Sequence, residues 1–105
     1  MKKSDLKQNM IVETRDGVRY LVLENVDTAS YHGHQDLFFM ASNGFDVGDN
    51  YDENLNIKCK DGRIGMPNFD IMKVMKWKEF KGLEYLNEDK EDSFELLWKR
   101  QEPKQ

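Results

Sequence analysis

The sequence predicts a small all-β domain, and recurring turn dipeptides are the main reason. The chain contains three of them, Asp16-Gly17, Asn43-Gly44 and Asp61-Gly62. Such dipeptides readily supply the positive-φ residues that tight hairpin turns need. With 105 residues, the chain is most simply a single domain spanning residues 1–105. An aromatic content of 11% argues against disorder, because large aromatic side chains gain most from burial.

The apolar runs on either side of the first turn are predicted to pair as a hairpin. A two-residue loop at Asp16-Gly17 places Val12 opposite Leu21. Ile11 and Val22 then share the other face of the ribbon. Because both faces are apolar, we expect a strongly bent sheet that wraps on itself rather than a flat sheet with one solvent-exposed face.

Other strands are predicted further along the chain. They are Asp36–Ala41, Ile57–Cys59 and Phe69–Trp77. A two-residue turn at Asn43-Gly44 places Met40 opposite Val47. The stretch Asn25–Gln35 lacks periodicity and is expected to be a loop.

The pattern near the C-terminus fits two structures. Phe94, Leu97 and Trp98 have the spacing of one helix face, whereas Phe94, Leu96 and Trp98 alternate as in a strand. The pattern alone leaves helix and strand open for residues 93–100.

An ordered set of short segments runs through most of the chain. These segments are Ser4-Asp5-Leu6, Met10–Val22, Asn43-Gly44-Phe45, Tyr51–Leu55, Phe69–Val74 and Leu97–Arg100. In this order they resemble a group of small proteins of Firmicutes phages and prophages. The resemblance implies an SH3-like antiparallel barrel, for which we expect five or six short strands. The residue pattern leaves one short helical segment near the C-terminus as an option. The resemblance also implies a closing strand around Trp98, and it assigns no catalytic residues.

A core can be proposed for this barrel. Its predicted members are Val12, Leu21, Leu23, Phe39, Phe69, Ile71, Val74 and Trp98. The Lys78–Asp92 segment is longer than in the commoner pattern of the group, which leaves the pairing of the last strand open.

Composition favours an intracellular protein. Cys59 is the only cysteine, so an internal disulfide framework is excluded. The N-terminal residues are basic but lack the apolar stretch of a signal peptide, and no segment has the length and hydropathy of a membrane helix. We therefore expect a cytoplasmic location, in a bacterial host cell.

Acidic residues are concentrated in the middle of the chain. No Lys or Arg occurs between Arg19 and Lys58, and the candidate binding residues there are Asp46, Asp49, Asp52 and Glu53. Their spacing does not fit a calcium-binding EF-hand loop. The simplest interpretation is that these four residues lie on a solvent-exposed segment, called the acidic arm below. The sharper hypothesis is a surface that imitates nucleic-acid phosphate and inhibits a host defence nuclease.

Basic and aromatic residues follow the acidic segment. Lys73, Lys76 and Trp77 are the candidates for binding single-stranded nucleic acid, as small β-barrels do by combining aromatic stacking with a basic groove. The net charge of −4 disfavours this alternative, because the field of the whole molecule repels phosphate.

Metal binding and catalysis are weakly supported. His32 and His34 alternate, but only Asp36 and Cys59 are candidates to complete a metal site. A nucleophilic role for Cys59 needs a nearby base, and a small buried strand residue is the simpler interpretation. We expect no cofactor, no metal and no enzymatic activity. The sequence favours a non-enzymatic accessory protein of phage or prophage origin that binds a protein partner.

Overall fold

The computed structural model describes residues 1–28, 33–42, 44–58, 69–80, 82–87 and 93–101. Six strands in these ranges form one antiparallel sheet, which confirms the predicted all-β class. The strands are β1 (Met10–Thr14), β2 (Arg19–Asp27), β3 (His34–Ala41), β4 (Gly44–Val47), β5 (Ile71–Trp77) and β6 (Phe94–Lys99). Short 3₁₀ helices occur at Lys3–Asp5, Gly48–Asn50 and Leu83–Tyr85.

The sheet is open, in the order β4-β3-β2-β1-β5-β6. Within the described ranges β4 and β6 do not pair, so the expectation that the strands close into a barrel is wrong for this part of the chain. The physical reason is that short segments outside the sheet cover both of its apolar faces. Leu6, Tyr51 and Leu55 cover one face, and Leu83 and Leu86 pack on the other.

The first hairpin exists, but its predicted register is wrong by one residue. Val12 lies opposite Tyr20, and Ile11 lies opposite Leu21. The loop has three residues, because the Thr14 N–H donates to the Val18 carbonyl at 3.0 Å. A shift of one residue exchanges the two faces of a strand. Val12 therefore packs with Val22 rather than with Leu21, and Ile11 joins the other cluster.

Gly17 accounts for the three-residue loop. Its N–H donates to the Thr14 carbonyl at 2.9 Å, and its φ is +88°. A type I turn followed by a left-handed residue is a common three-residue hairpin connection, and glycine adopts that conformation without steric strain. The Thr14 hydroxyl also donates to the Asp16 carboxylate, which adds a side-chain contact within the turn.

The second and third hairpins also differ from their predictions. Val26 pairs with Gln35, and Asp27 pairs with His34. Strands β2 and β3 therefore extend into Asn25–Gln35, the stretch expected to be a loop. Met40 lies opposite Phe45 rather than Val47, a shift of two residues that leaves the faces unchanged. Asp61-Gly62 and Asn43 lie outside the described residues.

Strand β6 is confirmed as a strand, and a β-bulge interrupts its simple alternation. In the β5–β6 ladder Val74 pairs with Trp98 and Met75 pairs with Leu96, so Leu97 has no partner on β5. A bulge of this kind changes which face the following side chains occupy. Phe94 consequently packs on one face of the sheet and Trp98 on the other.

Most of the predicted core is confirmed. Val12, Leu21, Phe39, Ile71 and Val74 are buried, and Leu23 and Trp98 are partly buried against the two clusters. Phe69 is the exception: it is 37% exposed, because it precedes the start of β5 and lies outside the sheet.

Candidate functional site

The carboxylate of Asp46 is part of the fold. It accepts hydrogen bonds from the Val47 N–H at 2.8 Å and from the Asn50 side-chain amide at 2.6 Å. The Tyr51 hydroxyl lies 3.2 Å from the same carboxylate and 3.0 Å from the Phe69 carbonyl. Burial raises the pKa of Tyr51, and the negative charge of Asp46 raises it further. Asp46 therefore anchors the chain that follows β4.

Asp52 also has a structural role. One of its oxygens accepts the backbone N–H groups of Asn54 at 2.8 Å and Asn56 at 3.0 Å, as Asp commonly does in turns. The side chains of Asp49 and Glu53 are exposed. Of the four acidic candidates, two are thus engaged in local hydrogen bonds and two face solvent.

The basic candidates divide between two faces of the sheet. Met10 pairs with Lys76 and Ile11 pairs with Met75, and successive strand residues point to opposite faces. Lys76 therefore lies on one face and Met75 on the other. Lys76 and Trp77 line one groove, whereas Lys73 lines a separate cavity.

The groove at Lys76 has a volume of about 500 Å³. Its lining residues are Lys7, Gln8, Asn9, Met10, Lys76, Trp77, Phe80 and Leu97. Phe80 is 63% exposed and Leu97 is 39% exposed, so two apolar side chains are open to solvent beside the two lysines. Contiguous exposed apolar surface with a polar rim is typical of interaction sites.

Aromatic packing fixes the wall of this groove. The Trp77 ring stacks on Phe94 at 5.5 Å and meets Phe80 edge-to-face at 5.0 Å. Because Trp77 is packed between these rings, it supports the groove and Phe80 presents the exposed ring. Lys76 lies 3.6 Å from Glu95, with both side chains more than half exposed, and such surface pairs contribute little energy.

A second cavity of about 190 Å³ lies beside β6 on the opposite face. It is lined by Lys73, Met75, Phe94, Leu96 and Lys99, and Leu96 is 54% exposed. The Lys73 ammonium lies 3.5 Å from a Glu13 oxygen. The other Glu13 oxygen accepts the Arg19 Nε–H at 3.0 Å. One carboxylate is therefore shared by two cations.

The metal and cysteine hypotheses receive no support from the described residues. The His34 ring lies 2.7 Å from Asp27 and 3.4 Å from Asp36, on an exposed part of the hairpin. No group of three or more His, Cys, Asp or Glu side chains in the described ranges could hold a metal ion. His32 and Cys59 lie outside those ranges.

Sequence reasoning missed the residues that flank β6. The sequence predicts a closing strand around Trp98, which contains Leu96, Leu97 and Lys99, but it predicts no binding role for them or for Lys7 and Met10. A signal was present: two adjacent leucines in a strand point to different faces, and both can be buried only if both faces are covered.

Comparisons with protein-family models, curated proteins and solved structures find no match to this chain. In the described part of the chain, no helix has the length and apolar character needed to cross a membrane.

Proposed function

We propose that this chain is a non-enzymatic accessory protein of phage or prophage origin that binds another protein in the bacterial cytoplasm. The domain would be an open variant of the SH3-like barrels that its sequence resembles. The observation that carries the proposal is the groove at Lys76, where exposed Phe80 and Leu97 lie beside Lys7 and Lys76. Apolar anchors with flanking cations suit a partner segment that contains both apolar and acidic residues.

Two observations favour a protein over nucleic acid. Trp77 is partly buried and its ring already contacts Phe94 and Phe80, so less of it is available to stack on successive bases. Lys73 and Lys76 lie on opposite faces of the sheet and do not form one continuous basic track.

Nuclease inhibition by the acidic arm is less well supported. Asp46 and Asp52 use their carboxylates for internal hydrogen bonds, which leaves Asp49 and Glu53 as the exposed charges of that set. A phosphate mimic needs several solvent-facing carboxylates at regular spacing, because the basic groove of a nuclease is built to contact successive phosphates.

Selection from a random peptide display library tests the proposal. The wild-type chain is expected to enrich peptides that combine acidic and apolar residues. The double variant Lys76→Glu, Phe80→Ala should bind those peptides at least about tenfold more weakly, because it removes one cation and one anchor of the groove.

The matched control is the double variant Lys58→Glu, Phe45→Ala. It makes the same changes at an exposed lysine and at a phenylalanine that is 53% exposed, away from the groove. Equal binding of the selected peptides to both double variants would contradict the proposal. Tight, salt-dependent binding of a labelled single-stranded oligonucleotide would contradict it as well.

A further inference from the structure

Strand β6 forms an edge of the sheet. It is last in the strand order, and within the described ranges no strand pairs with its outer side. An edge strand presents unpaired N–H and C=O groups, which proteins usually protect by covering, twisting or charging the edge. β6 is six residues long and exposes two leucines, Leu96 and Leu97. Among the described residues, the outer side of this edge is thus the place where another extended chain could pair.

Both sides of the β6 edge carry an apolar side chain. Leu97, the bulge residue, lines the groove at Lys76, while its neighbour Leu96 lines the cavity on the opposite face. An added strand alternates its side chains between the two faces. Its successive residues would therefore meet an apolar side chain of β6 on each face.

Cations flank β6 on both faces. Lys7 and Lys76 lie in the groove on one face, and Lys73 and Lys99 line the cavity on the other. Lys73 lies directly opposite Lys99 in the β5–β6 ladder, and like charges in that position are destabilising. A carboxylate bound between them would relieve this repulsion.

The ladder places the two lysine side chains especially close. The Arg100 N–H donates to the Met72 carbonyl at 2.8 Å, which makes Met72 and Arg100 a hydrogen-bonded pair. Pair types alternate along an antiparallel ladder, so Lys73 and Lys99 form the non-hydrogen-bonded type, in which side chains approach most closely. The carboxylate of Glu13 reaches Lys73 but is shared with Arg19.

We propose that the protein partner binds by adding an acidic, extended segment as a strand to the outer edge of β6. This inference rests on the proposed function and specifies its binding mode. Backbone hydrogen bonds to β6 supply affinity, as in other cases of strand addition. Specificity comes from apolar contacts with Leu96 and Leu97 and from carboxylates that reach Lys73 and Lys99 on one face and Lys76 on the other.

Charge favours an acidic segment over a second copy of this chain as the occupant. The β6 strand of a second copy carries one carboxylate, Glu95, and one lysine, Lys99, so it offers no net negative charge to the lysines here. An acidic segment does.

The test uses fluorescein-labelled peptides of alternating Glu and Val and measures binding by fluorescence anisotropy. Two further peptides carry N-methyl groups on either the Glu nitrogens or the Val nitrogens. N-methylation removes donors along one edge of an extended chain while leaving the side chains in place. We expect the parent peptide to bind, and at least one methylated peptide to lose about tenfold or more in affinity.

Lysine variants test the charge contacts. Lys99→Ala should weaken binding of the parent peptide at least about threefold, whereas Lys58→Ala, at an exposed lysine elsewhere, should leave it unchanged. A peptide of alternating Lys and Val should bind more weakly than the parent.

Several outcomes would overturn strand addition. These are no binding of the parent peptide, equal binding of all three Glu–Val peptides, equal effects of Lys99→Ala and Lys58→Ala, or a wild-type dimer whose interface protects the β6 amides from exchange. The display selection decides the proposed function separately. If peptide binding requires Lys76 and Phe80 but tolerates N-methylation, the proposed function is supported and strand addition is contradicted.

Discussion

The two edges of the sheet differ in how they are held. β4 leads directly into the Gly48–Asn50 turn and then to Tyr51, which is 1% exposed, and Asp46 joins these elements by hydrogen bonds. β6 instead exposes Leu96 and Leu97 between two cavities. Hydrogen bonds of Asp46 therefore tie the β4 edge to the core, whereas the proposed partner strand would bind at the basic, apolar edge of β6.

This difference changes how the charge distribution should be interpreted. The acidic segment is prominent in the sequence because it contains no Lys or Arg. In the structure, Asp46 and Asp52 stabilise the connection between β4 and the core. The lysines around β6 are less conspicuous in the sequence, yet Lys73 and Lys99 lie opposite each other on adjacent strands. The charge run along the sequence thus pointed to a segment in which Asp46 and Asp52 serve the fold.

The largest predicted effect tests how tightly the β4 edge is packed. A Cβ at Gly48 would lie 2.8 Å from the Leu37 Cβ and 3.1 Å from the Leu37 carbonyl oxygen. Gly48→Ala should therefore lower the free energy of unfolding by about 1–3 kcal/mol, as overpacking does. Urea denaturation measures this change.

Gly44→Ala is the matched control, because nothing lies within 4 Å of a Cβ placed there. It should change stability by less than about 1 kcal/mol, and in the stabilising direction. Equal destabilisation by both variants would contradict close packing at Gly48 as the cause.

The strands themselves were largely predictable, whereas their registers were not. The Asp16-Gly17 signal located the first hairpin correctly, but it did not reveal a three-residue loop. That loop depends on the Thr14–Val18 pairing and on the positive φ of Gly17, which a dipeptide rule cannot distinguish from a two-residue turn. The one-residue error moved Val12 to the wrong partners.

The candidate site was harder to predict for a related reason. The alternation of Phe94, Leu96 and Trp98 suggested one buried face, but the bulge at Leu97 separates Phe94 and Trp98 onto different faces and leaves Leu96 exposed. A bulge depends on pairing between strands that are distant in sequence, so local periodicity does not show it. The groove and the Lys73–Lys99 pair both depend on that long-range register.

A smaller effect is expected when the carboxylates of the β4 side are removed one at a time. Asp46→Ala should lower the free energy of unfolding by about 1–2 kcal/mol, because the Asn50 amide and the Val47 N–H lose their acceptor. Asp49→Ala is the control, since this side chain is exposed and should cost less than about 0.5 kcal/mol. Similar values for the two variants would mean that Asp46 does not anchor this edge.

The smallest expected effect on stability concerns His34, at the far end of the β2–β3 hairpin. Its exposed ring contacts Asp27 and Asp36. The hydrogen bond that the His34 ring donates to Asp27 is the main cause that raises the pKa of His34 above its ordinary value of 6.5, and the charge of Asp36 adds to it. A raised pKa means that the protonated ring is favoured in the folded state. Its contribution to stability is complete below pH 6.5 and is lost as the pH rises through the raised pKa.

NMR titration of the His34 ring measures this contact directly. Asp27→Asn should lower the pKa of His34 towards its ordinary value, and Asp36→Asn should lower it less, because Asp27 is the closer and hydrogen-bonded partner. Since the ring is exposed, the accompanying change in stability should be small and should shrink as salt is added. An equal shift in both variants would indicate that the general negative charge of this hairpin, rather than the Asp27 hydrogen bond, sets the protonation of His34.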